Sequence, residues 1–534
     1  MKQLLRIAAA VLLLAASPAW AALRLPALFA DHMVLQAGAP AAVWGWADPG
    51  AEVTVTFSGQ EPVHAAAGSD GRWKAALPAL DAGARGTLAV ESKGTKKEIA
   101  DVLAGQVWLC SGQSNMEYNV DAPASRYAPR EKEVDGNVAL AHKEAAPLEG
   151  AIRYFQVTRF GADAPQDDVK GSWIVVTPEN VGECSAVAWN FALRVHDALR
   201  QPVGLILSTW GGTPVQSWLP REALDATSVA ADIWKHHAEL IAQFPAAKKK
   251  YDADLAAWKA ANPTPELQAE NKRKMPRMPY YATCSLAPVR LYNGMIHGLA
   301  PYTLSGFLWY QGEADGKNPT QYAEQIRALV NAWRKDWEAE LPFFYVELAG
   351  CGNPPQKPAE GGTAYIREAQ AGVLQLPKTG VAIAVDLGLP KNIHPPFKKE
   401  VGNRLAGLAL EKVYGQRVGG VDSPQFEGFA VEGNSVRLKF THAEGLRAKD
   451  GGPLKGFALR GAHGDWVWGD ARIDGQDIVV SSPSVSAPAA VRYGWASYPT
   501  LSVENAAGLP LRPFRTDPET PDAPAPVPIG TPVK

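Results

Sequence analysis

The chain has 534 residues, of which 46% are hydrophobic and 20% charged, and its net charge is -2. Such a length and composition suit a globular protein of about three or four domains. The near-neutral balance gives no electrostatic reason to expect nucleic acid or an anionic membrane as a partner.

Residues 1–21 read as a secretory signal peptide. Lys2 and Arg6 make a basic start, 7–16 is an apolar run too short to span a bilayer, and Ala19-Trp20-Ala21 is a small-x-small cleavage site. No later stretch is long enough to cross a membrane, so the expected location is secreted, in a periplasm or beyond. Cys110, Cys184, Cys284 and Cys351 match no C-x-x-C metal pattern. Their spacing selects no pairing, and either buried thiols or one structural bridge is expected.

From 22 to 104 the pattern is short strands and turns. Val53, Val55 and Phe57 alternate with Thr54 and Thr56, and Ser69-Asp70-Gly71 is a turn signal, so an N-terminal β-sandwich domain is predicted. Over 105–418 strands alternate with helices. Apolar runs at 203–207, 306–310, 343–348 and 380–385 read as buried parallel strands, with helices over 320–333 and 398–413. An insertion at about 220–288 carries Ile233, His237, Leu240, Ile241 and Phe244 at helical spacing. Tyr251, Leu255 and Trp258 do the same after Pro245, which predicts a helical hairpin. The two-residue period returns over 419–516 as a C-terminal β domain, and 517–534 is a Pro-rich tail predicted to be disordered.

The fold class is therefore α/β, an open parallel sheet flanked by β domains. In such a sheet, loops at the carboxyl ends of strands line one ligand-binding edge. The first of these loops is Gly112-Gln113-Ser114-Asn115-Met116, where an apolar run stops at a glycine and exposes a serine. The second is Trp210-Gly211-Gly212-Thr213, where Thr213 reads as a helix N-cap. The third is Trp309-Tyr310-Gln311-Gly312-Glu313, and the last holds Ile393-His394-Pro395.

Together these motifs resemble the sialate O-acetylesterase group of SGNH-type carbohydrate esterases, whose catalytic domain is flavodoxin-like. Met33-Val34-Leu35-Gln36, Tyr292-Asn293-Gly294-Met295-Ile296, Gly508-Leu509-Pro510 and Pro513-Phe514-Arg515-Thr516 extend the similarity over nearly the whole chain. The resemblance implies Ser114 as nucleophile and His394 as general base, with His297 the rival base. Ester cleavage also needs donors aimed at the developing oxyanion, expected from the N–H groups of Ser114 and Gly212 or Gly211 and from the Gln311 amide. Gln113, Asn115, Glu313 and Asn392 are expected to support the site.

One departure concerns the acid that such esterases carry two or three residues before the histidine. Here those positions hold Lys391 and Asn392. Either a backbone carbonyl orients the imidazole in a Ser–His dyad, or a carboxylate arrives from elsewhere, with Asp386 ahead of Asp315 and Glu313. No metal or other cofactor is expected, because no histidine cluster has ligand spacing on one element and adjacent His236 and His237 point to different helix faces.

The expected function is an O-acetylesterase acting on acetylated oligosaccharides, either sialic acid or plant cell-wall sugars such as xylan or xyloglucan. Its alternatives are an esterase for other short acyl esters and a non-catalytic carbohydrate-binding protein with a degenerate site. A glycoside hydrolase fits less well, since no paired carboxylates stand out in the strand-end loops.

Overall fold

Six short strands, β1 (Val34–Gln36), β2 (Ala41–Trp46), β3 (Glu52–Phe57), β4 (Val63–Ala66), β5 (Arg72–Leu77) and β6 (Arg85–Ser92), lead into β7 (Thr95–Gly112). The computed structural model describes residues 23–122, 132–358 and 361–517. The expected signal peptide and the tail from 518 onward lie outside the described residues. Asp517, expected to begin that tail, is instead buried and ion-paired with Arg492 at 2.7 Å.

β7 joins two layers. Its first half pairs antiparallel with β6. Its second half runs between parallel neighbours in a sheet with β8 (Ile152–Val157), β9 (Gly171–Val175), β10 (Val203–Thr209), β11 (Gly306–Tyr310), β12 (Phe343–Glu347) and β13 (Thr379–Ile383). The order is β13-β12-β11-β7-β10-β8-β9, parallel except for β9. A domain boundary was expected at 104/105, yet β7 crosses it. Residues 102–112 are buried without a break, so nothing in them ends the strand. The apolar side chains of β2, β3, β5 and β6 accordingly share one core with the parallel sheet.

Register sets up the functional edge. Gly112 lies level with Thr209 on one side and Tyr310 on the other, so three strands end side by side and release their loops together. A side chain at position 112 would meet the Tyr310 carbonyl at 2.2 Å, and its φ is +134°, so only glycine fits that stop.

Helices Ala186–Leu199, Pro319–Asp336 and Lys398–Lys412 belong to the same unit. The expected helical hairpin is instead one helix, Ala230–Ala261, that continues through Pro245. A proline costs an exposed helix about 3 kcal/mol. Packing of Leu240 and Ile241 against Tyr280, Cys284 and Ala287 supports the first half, and Lys248–Asp252 and Lys250–Asp254 pairs support the second. The four cysteines are free thiols, three of them buried. Among the described residues no helix is long and apolar enough to cross a membrane.

The C-terminal β unit has two four-stranded antiparallel sheets and a two-stranded one (Arg447–Ala448 with Val503–Glu504) around one core that includes Leu438, Phe457, Ile478 and Tyr493. It docks beside the carboxyl end of β12 through buried charge. Arg512 donates to Glu347 at the end of β12 at 2.5 Å, and Arg367 donates to the carbonyls of Leu348, Ala496 and Ser497.

Removing one partner from a buried pair strands the other charge. Arg512→Met should lower unfolding free energy by about 3–5 kcal/mol, read as a shift in the urea midpoint. Adding Glu347→Leu should recover part of that loss.

Candidate active site

Ser114 begins a single helical turn, Ser114–Glu117, directly after β7. The turn is held to both neighbouring strands, since the Gln113 N–H donates to the Tyr310 carbonyl (3.0 Å) and the Trp210 N–H to that of Gly112 (3.1 Å). The Ser114 hydroxyl lies 2.8 Å from Nε2 of His394. Residues 280 apart in sequence are thereby in hydrogen-bond contact. An imidazole with its proton on Nδ1 can take the hydroxyl proton at Nε2, which is the relation that activates a serine.

The histidine loop is fixed by its own residues and by Asn115. The Asn392 side chain accepts from the His394 N–H (3.0 Å) and donates to the His394 carbonyl (2.8 Å). Asn392 thus braces the main chain that carries the imidazole. Nδ2 of Asn115 donates to the Ile393 carbonyl at 3.0 Å and also to Glu313. Its Oδ1 accepts from Lys398 Nζ at 2.5 Å. Lys398 is buried, its ammonium faces the rings of Tyr118 and Tyr310, and burial pulls its pKa down to about 7 against the opposing field of Glu313. Burial likewise pushes the Glu313 carboxyl up, against the hydrogen bond from Asn115.

Three expected roles need correction. Asp386 is bound through both oxygens by the Arg404 guanidinium, each at 2.7 Å, so this carboxylate serves an arginine rather than the imidazole. The Gly211 N–H donates to Glu117 Oε2 at 2.7 Å and is not free for an oxyanion. Gln311 is fully buried, and its amide protons go to Asp315 (2.5 Å) and the Thr213 carbonyl (3.1 Å), tying two strand-end loops together. Gly211 keeps a packing duty, because a Cβ there would sit 3.2 Å from that of Ser114.

The donors that remain are the Ser114 N–H, at the open end of a helical turn, and the Gly212 N–H. Gly212 has φ +77° and open space around it, and its amide meets no acceptor among the described residues. Gln113 accepts from the Ala314 N–H (3.3 Å), so it supports the loop after β11. The rival base His297 is committed through Nδ1 to the Gln166 carbonyl (3.1 Å). Thr213 does not cap a helix. Its hydroxyl donates to the Trp210 carbonyl and accepts from Trp218, while Asp315 receives the Val215 N–H at the following 3-10 turn.

Sequence reasoning missed Lys398 and Glu117. Lys398 did carry a signal, since a cation in the first turn of a helix opposes the helix dipole and needs a local partner. Glu117 carried none. Among the described residues no group of three metal-ligating side chains forms.

A family model described as carbohydrate esterase, sialic acid-specific acetylesterase matches residues 286–411. That span holds Gln311, Glu313, Asp386, Asn392, His394 and Lys398 and leaves Ser114 outside. Over 512 residues the chain is 28% identical to a sialate O-acetylesterase of Rattus norvegicus, covering 88% of this chain and 89% of that one. It is also 28% identical to a human sialate O-acetylesterase over 459 residues, covering 78% of this chain and 76% of that one. The crystal structure of a carbohydrate acetylesterase from Xanthomonas citri matches with a TM-score of 0.75 at 32% identity, covering 93% of this chain and 100% of that one.

Asp315, within the matched span, generates a pH prediction. Burial pushes its pKa up to about 7, against the hydrogen bonds from Gln311 and Val215. Folding therefore favours its protonated form, a contribution complete below about pH 4 and lost as pH rises through about 7. Asp315→Asn should flatten that loss. In urea unfolding, the stability of the variant relative to the parent should rise between about pH 4 and pH 8.

Proposed function

The chain belongs to the sialate O-acetylesterase family of carbohydrate esterases and is a serine-type carboxylic-ester hydrolase, and from that premise we propose that it removes acetyl groups from sugars through an acyl-enzyme on Ser114. The 2.8 Å contact between Ser114 Oγ and His394 Nε2 carries this reading. His394 takes the serine proton as Oγ adds to the acetyl carbon, and the oxyanion that forms faces the N–H groups of Ser114 and Gly212. Collapse expels the sugar oxygen, which receives the proton from His394. Water activated by the same imidazole then releases acetate and restores the serine.

The substrate is an acetylated oligosaccharide, either a sialic acid glycan or an acetylated plant cell-wall fragment such as xylan or xyloglucan. The relatives named as sialate O-acetylesterases support the first and the carbohydrate acetylesterase from Xanthomonas citri supports a sugar ester more broadly. The basic-apolar-small pattern of residues 1–21 supports export to a periplasm or beyond. Hydrolysis without a metal follows from the same chemistry, in which a serine, an imidazole and two amides suffice.

Ser114→Ala should fold normally and retain less than about a hundredth of the parent turnover. Acetate release from a panel of acetylated sialic acid, xylan and xyloglucan substrates reads both the mechanism and the sugar preference. Turnover in the variant close to the parent value would overturn Ser114 as the nucleophile.

A further inference from the structure

A second recess lies where the C-terminal β unit meets the loop that follows β12. It is a partly open cleft lined by Trp466, Trp468, Trp495, Arg492, Pro355 and Pro499. Three indoles around one small cleft are unusual on a protein surface, and each is held differently. Trp468 is 43% exposed, which is high for so large an apolar side chain. Its edge is fixed, with Nε1 donating to the Gln356 carbonyl at 3.4 Å, and its strand pairs with Ala458. Trp466 lies under two guanidinium groups, those of Arg492 at 4.3 Å and Arg460 at 4.8 Å.

Trp495 supplies the feature that packing does not explain. It is 7% exposed and packs edge-on against Tyr365 at 5.2 Å, yet its Nε1–H is buried without a hydrogen-bond partner among the described residues. Trp73, Trp189, Trp258 and Trp309 also bury indole N–H groups without an acceptor among the described residues, but Trp495 is the one of these five that lines this cleft, where an oxygen brought by a ligand would satisfy it. Indole faces beside a buried donor match a pyranose ring, which is apolar across its C–H face and carries hydroxyls at its edge.

The cleft is joined to the reaction centre through the loop after β12. The Cys351 N–H donates to the Ser497 carbonyl (3.0 Å) on the C-terminal side, and the Gly352 N–H donates to the Pro390 carbonyl (2.9 Å) in the loop that carries His394. We propose that this cleft is a subsite for a sugar residue of the glycan deacetylated at Ser114, with the ring stacked on Trp468 and a hydroxyl accepting from Trp495 Nε1–H. This rests on the acetylated-sugar reading above and adds to it a place for the unmodified part of the chain.

The test separates binding from hydrolysis. Oligosaccharides of xylan, xyloglucan and sialylated glycans, without acetyl groups, are titrated by calorimetry into the Ser114→Ala protein and into the same protein carrying Trp468→Ala, Trp468→Tyr or Trp495→Phe. We expect at least one oligosaccharide to bind, Trp468→Ala to weaken it about tenfold or more, and Trp495→Phe to weaken it several-fold, an aromatic ring being kept while the donor is lost. Trp468→Tyr, which keeps an aromatic face, should restore most of the affinity, which a loss through misfolding would not allow. Binding by none of the oligosaccharides, or equal binding by all the variants, would overturn the subsite. Acetate release from the parent on acetylated forms of the same sugars is scored separately. Its failure with binding intact would sink the esterase reading and leave the subsite standing.

Discussion

One carboxamide, that of Asn115, holds three loops at once. Its oxygen faces the buried ammonium of Lys398, while its nitrogen faces Glu313 and the carbonyl of Ile393. A cation on one side and a carboxylate on the other leave the amide only one favourable orientation. Asn115 follows Ser114 and Ile393 precedes His394, so this contact sets the separation of hydroxyl and imidazole. A displacement of about 1 Å between reacting groups can cost a hundredfold in rate, which is why such a contact matters far beyond its own energy.

The buried pair that grips the amide is expensive. Lys398 and Glu313 both lie where burial disfavours their charged forms; each feels the other's field, and both hydrogen-bond to Asn115. An apolar pair of similar volume would cost less to bury. It would not orient an amide, however, and a site tolerates such expense when geometry depends on it. Asp315 repeats the pattern one loop away, accepting from Gln311 and Val215 and so linking the loops after β10 and β11.

The architecture was largely legible because strand runs and their stops are local properties. The runs at 203–207 and 306–310 fall on β10 and β11, and the glycine at 112 marks a stop that only glycine can occupy. The meeting of Ser114 and His394 followed from that topology together with a family resemblance. Hydrogen-bond assignments were not legible. Gly211 and Gln311 have the right chemistry for an oxyanion, but Glu117 and Asp315 reach them first, and nothing local announces either acceptor. Asp386 is the acid nearest before His394, yet Arg404 on the following helix takes both its oxygens. The helix through Pro245 and the strand through 104/105 were missed for a related reason, since packing and burial outweighed local punctuation.

The most direct test of the Asn115 arrangement is the rate at which Ser114 is acylated, followed in the pre-steady state with a chromogenic acetyl ester. Asn115→Ala keeps the serine and the histidine and removes only the amide between them. The account predicts that the acylation rate falls by about a hundredfold while apparent substrate affinity changes little. An acylation rate within about threefold of the parent would contradict it, because the imidazole would then hold its place without the clamp.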